Sequence, residues 1–64
     1  MNQLASVDTL SPKAIAKKHG VYLNVILRQL EMGIKVEREH TKNPDVAREI
    51  ALDHLAEFPD YYTT

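Results

Sequence analysis

Thr41-Lys42-Asn43-Pro44 sets a helix stop beside a helix start, and it governs what this chain can fold into. Thr41 or Asn43 can accept a hydrogen bond from a first-turn amide, and Pro44 has no amide to leave unsatisfied at the first helical position. Asp45 adds a negative charge where the helix dipole favours one. On either side, apolar residues recur at helical spacing. Upstream these are Leu23, Ile26, Leu27, Leu30 and Ile34. Downstream they are Val46, Ala47, Ile50, Ala51, Leu55 and Phe58, and His54 falls on the same stripe. Two helices joined by so short a turn must return antiparallel.

The boundaries follow from local signals. The second helix is expected from Tyr22 or Leu23 to about His40, with Asn24 as an alternative cap. Gly33 interrupts it, at about 1 kcal/mol relative to alanine, so a split there is the main alternative to one continuous helix. The third helix stops at Pro59, and Tyr61 and Tyr62 are expected to fold back as an aromatic lid. Upstream, Ser11-Pro12 begins a short helix that Gly20 ends after His19. Ile15 and Ala16 are its apolar face. Residues 1–10 show no periodicity and are expected to form a flexible arm, leaving 11–64 as one small domain. The expectation is all-α: a short N-terminal helix, then an antiparallel helical hairpin.

A chain of 64 residues supports a core worth only about 3–5 kcal/mol. It has no cysteine, which excludes disulfides and thiolate metal sites. The first ten residues lack the basic and apolar regions of a secretory signal. No run approaches the roughly 20 apolar residues that span a bilayer. Charge is uneven. Residues 1–30 carry Asp8 against Lys13, Lys17, Lys18 and Arg28, a net of +3. Residues 31–64 carry eight acids against Lys35, Arg38, Lys42 and Arg48, a net of −4.

Four kinds of function can be set against these residues. Glu37-x-x-His40 and His54-x-x-Glu57 place carboxylate and imidazole on adjacent helical turns, and such pairs facing each other in a bundle can hold divalent or di-iron centres. With the turn centred near Lys42, however, Glu37 and His54 are expected to differ by roughly 10 Å along the hairpin. His54 should then lie near Leu30 and Glu31, as a half-buried residue bonded to a buried acceptor or to Tyr61 or Tyr62. Ile15-Ala16-Lys17-Lys18-His19-Gly20-Val21 resembles a helix-turn-helix pattern, with Lys13, Lys17, Lys18, Tyr22, Asn24 and Arg28 as DNA-contacting candidates. His19 and Gln29 depart from it, because both positions are normally apolar. No nucleophile or glycine-rich loop sits in a catalytic arrangement, so neither enzyme activity nor a cofactor is expected. Val25, Met32 and Val36 lie off the main stripe of the second helix. That extra apolar surface favours self-association or docking to a protein. Gly33, Thr41, Asp53, His54, Tyr61 and Tyr62 are the structural or interaction candidates.

Gly33, Ile34, Val36, Glu37, Glu39, His40 and Thr41 form the first part of a longer pattern. Ala47, Ile50, Ala51, Asp53, His54, Leu55 and Glu57 follow, and Pro59-Asp60-Tyr61-Tyr62 close it. This pattern resembles a small uncharacterised domain family that recurs in tailed-phage genomes. The resemblance implies phage or prophage origin; with neither a secretory signal nor a spanning run expected from the residues, the host cytoplasm or the virion is the expected place. It implies no activity. It suits an accessory module whose partner is a virion component or a host factor.

Overall fold

A computed structural model of the chain describes residues 9–63. Residues 1–8, most of the expected arm, lie outside the described residues. Three helices make up the fold: α1 (Pro12–His19), α2 (Leu23–Glu37) and α3 (Pro44–Glu57), with no strand among the described residues. Ser11 Oγ accepts from the Ala14 amide at 3.1 Å and starts α1. Gly20 ends it at φ +68°, a conformation that glycine adopts without a Cβ penalty. The amides of Gly20 and Val21 close back on the carbonyls of Lys17 and Ala16. This satisfies two carbonyls that the helix end would otherwise leave without partners.

α2 starts after Tyr22 without a side-chain cap, so Asn24 does not serve as one. It runs unbroken through Gly33. It ends at Glu37, three residues before the expected His40. There the chain tightens: the Glu37 carbonyl accepts from both His40 and Thr41 amides, at 2.9 and 3.1 Å. Asn43 precedes a proline, which disfavours helical geometry for it. Asn43, not Thr41, caps α3, with Oδ1 accepting from Asp45 and Val46 amides. Thr41 Oγ1 accepts the Asn43 amide one step earlier. Phe58 is extended ahead of Pro59 and ends α3.

α2 packs against both α1 and α3. The core joins Ile15, Ala16, Ile26, Leu30, Ala51, Leu52 and Leu55. Leu52 was outside the expected stripe and is 2 % exposed. It lies about 100° round the helix from Ala51. That turns it off the main stripe, into the cluster that also holds Ile15 of α1. Conversely Phe58, Leu27, Leu23 and Val46 were expected on the apolar stripes and are 40–56 % exposed. An eight-residue α1 covers too little of α2, and Phe58 has already left helical geometry. The molecule is a thin slab of 30 × 29 × 15 Å, so the helix flanks face solvent.

Candidate functional site

Gln29, Gly33 and Glu37 follow one another at four-residue spacing on α2, and all three are buried. Four residues are just over one helical turn, so they form a row on one face. A buried amide and a buried carboxylate need partners. The C-terminal segment supplies them. The Tyr62 amide donates to Gln29 Oε1 at 3.0 Å. Gln29 Nε2 donates to Thr63 Oγ1 at 2.8 Å. The Tyr62 ring then packs against Gly33. A Cβ there would fall 2.8 Å from Cζ and 2.9 Å from Cδ2, closer than real Cβ atoms come. Tyr62 Oη finally reaches Glu37 Oε2 and donates to it at 2.8 Å. One residue of the tail thus engages three consecutive positions of the row.

His54 closes the cluster from α3. Its Nδ1 lies 3.3 Å from Glu37 Oε2 and 3.1 Å from Tyr62 Oη. Its ring stacks on Tyr61, with centroids 4.3 Å apart and planes 20° from parallel. Tyr62 already gives its proton to Glu37. A bare Nδ1 lone pair would then face a carboxylate oxygen, so the arrangement assigns a proton to Nδ1. Burial pushes the Tyr62 phenol above its ordinary range, and the hydrogen bond to Glu37 and its negative charge push it further. The phenol therefore stays protonated and remains a donor.

The roughly 10 Å separation expected between Glu37 and His54 is corrected by this contact. Two features absorb it. Residues 38–43 are not helical, and six residues can carry the chain up to roughly 20 Å before α3 turns back. Side chains also lean toward the N-terminus of their own helix. Glu37, near the turn, leans away from it, and His54, far from the turn, leans toward it. His54 accordingly meets Glu37 rather than the expected Glu31.

A second polar contact was missed from the sequence. His19 Nε2 lies 2.9 Å from the Leu55 carbonyl and 3.1 Å from that of Ala56. Lys18 Nζ donates to the Ala56 carbonyl at 2.7 Å. Basic groups of α1 thereby cap the last turn of α3, where the carbonyls lack intrahelical partners and the dipole favours positive charge. The only local signal was His19 at a position that helix-turn-helix patterns fill with an apolar residue.

Other candidates are not brought together. His40 is exposed in the turn, and Asp53 and Glu57 are exposed on α3. Among the described residues no three His, Cys, Asp or Glu side chains form a group able to hold a metal ion. Lys13, Lys17, Asn24 and Arg28 are exposed, and Tyr22 is 83 % exposed. Asn24 and Arg28 line an open cavity of about 260 Å³ with Val25, Gln29, Met32 and Thr63. No described helix is long and apolar enough to cross a membrane.

The family described as "Protein of unknown function (DUF5661)" matches residues 12–64, and the chain belongs to that family. The match spans α1, α2, α3 and the tail that holds Tyr61 and Tyr62. No curated protein and no solved structure matches the chain.

Proposed function

We propose that this chain is a non-enzymatic protein-interaction module of a phage or prophage, docking through the α2–α3 hairpin to a virion component or a host factor. The observation that carries the reading is an uncovered flank of α2. Val25 is 41 % and Val36 43 % exposed, and Met32 between them is only partly covered. Intervals of seven and eleven residues return to nearly the same side of a helix, so these three form one stripe. An apolar stripe on an exposed helix is the kind of surface a partner helix or groove takes up. The acid–base groups of the buried cluster spend their hydrogen bonds on one another and on the tail. Phage origin is supported by the likeness of the Gly33–Tyr62 pattern.

The test compares the native chain with Val25→Ser/Val36→Ser. Size-exclusion chromatography with light scattering reads self-association across concentration. Affinity capture from infected-cell lysate and from purified virions reads partners. The double variant should keep its helical circular dichroism and lose the interaction. A native chain that stays monomeric and captures nothing rejects the reading, as does a variant that binds unchanged.

A further inference from the structure

We propose that the end of the molecule built from Phe58 and Tyr61 is a docking surface for a basic protein segment, one bearing arginine or lysine. This deepens the interaction reading and rests on it, while naming a different face and a partner chemistry.

Phe58 is 56 % and Tyr61 42 % exposed, and the side chain of His54 beneath Tyr61 is 36 % exposed. Tyr61 is held between neighbours, stacked on His54 and edge-on to Tyr62 with centroids 4.9 Å apart. Tyr62 is in turn anchored to Gln29 and Glu37. An aromatic side chain fixed in this way loses little freedom when a partner lands on it. Rigid, part-exposed aromatics are what binding hot spots are made of.

Charge selects the partner. Asp53 and Glu57 are exposed on the last turns of α3, one residue before and three residues after His54. No lysine or arginine follows Arg48 in the sequence. From α1, Lys18 and His19 reach this end of α3, but both are engaged at the Leu55 and Ala56 carbonyls. Aromatic faces attract guanidinium and ammonium groups, and carboxylates beside them add charge-assisted hydrogen bonds. The same carboxylates repel phosphate, which sets nucleic acid aside as the occupant of this face.

The full-length protein is used to select from a library of random twelve-residue peptides at low salt, and enriched peptides are then titrated by calorimetry. Enriched peptides should carry arginine or lysine and should weaken as salt rises. Tyr61→Ala and Phe58→Ala should each weaken them about tenfold, the scale of one cation–π contact. Asp53→Asn/Glu57→Gln touches only exposed side chains, should leave helicity unchanged and should also weaken binding. Neutral or acidic peptides, or basic ones indifferent to these changes, overturn the proposal. Peptides lost instead in Val25→Ser/Val36→Ser overturn it while leaving the hairpin reading intact. A dimer lost in Tyr61→Ala, with no peptide enriched, overturns it in favour of a second copy of the chain. No peptide, no dimer and no captured protein together reject both readings.

Discussion

Glu37 Oε2 lies 3.3 Å from His54 Nδ1, across the two helices of the hairpin, and Tyr62 Oη donates into the same carboxylate oxygen. The contact joins α2, α3 and the tail through one buried carboxylate. In a chain whose core is worth only a few kcal/mol, one such junction is a large share of the total.

Tyr62→Phe keeps the ring on Gly33 and removes only the hydroxyl. Glu37 then loses a donor while remaining buried. The expected cost is about 1–2 kcal/mol, in the range for a hydrogen bond to a charged group. Glu37→Leu, which leaves no acceptor for the hydroxyl, should cost at least as much. The double variant should cost clearly less than the sum, because both changes remove the same bond. Urea denaturation followed by circular dichroism measures all three; full additivity would show that the bond is not formed.

Gly33→Ala should destabilise the native chain, although alanine in a helix interior is ordinarily favoured over glycine by about 1 kcal/mol. The reason is the Tyr62 ring, which occupies the space a Cβ needs. In a Tyr62→Ala background the obstacle is gone, and Gly33→Ala should become stabilising. Thermal melting of the four proteins reads this reversal of sign directly. The same sign in both backgrounds would contradict the packing described.

Stability should fall in alkali. The folded-state phenol of Tyr62 ionises above its ordinary value of about 10, chiefly through burial and then through Glu37. The fold therefore holds this proton more tightly than the unfolded chain does. Its contribution is whole below about pH 10 and is lost as pH rises from there through the folded-state value. Tyr62→Phe should flatten this dependence. Urea midpoints across that range, with phenolate absorbance followed in parallel, provide the measurement.

His19→Ala should loosen the end of α3 rather than α1 alone. It removes the imidazole held at the Leu55 and Ala56 carbonyls. The expected loss is about 0.5–1.5 kcal/mol. Hydrogen exchange should quicken at the Phe58 amide, which bonds to the His54 carbonyl in the last turn of α3. Exchange that changes only within Pro12–His19 would argue that the contact does not restrain α3.

Local signals alone placed the ends of α1 and α3: Ser11-Pro12, Gly20, Asn43-Pro44 and Phe58-Pro59 mark them, because caps and stops are made by groups within a few residues of each other. The end of α2 carries no such signal and falls at Glu37, short of the expected His40. Apolar periodicity located Ile15, Ile26, Leu30, Ala51 and Leu55, all of which are buried. It missed Leu52, and it could not tell which flank of each helix a short neighbour would leave uncovered.

The site was decided at longer range. Gln29 read as a departure from an apolar pattern, and Gly33 as a weak point in a helix. Their roles rest on Tyr62 and Thr63, about thirty residues away, and Lys18 and His19 cap a helix more than thirty residues downstream. Glu37 and His54 looked too far apart on a count of residues along two straight helices. What joined them was a six-residue connection that is not helical, and side chains that lean toward each other in an antiparallel pair. Neither quantity is carried by local periodicity, since the first depends on where the chain stops being a helix and the second on how two helices face each other in space.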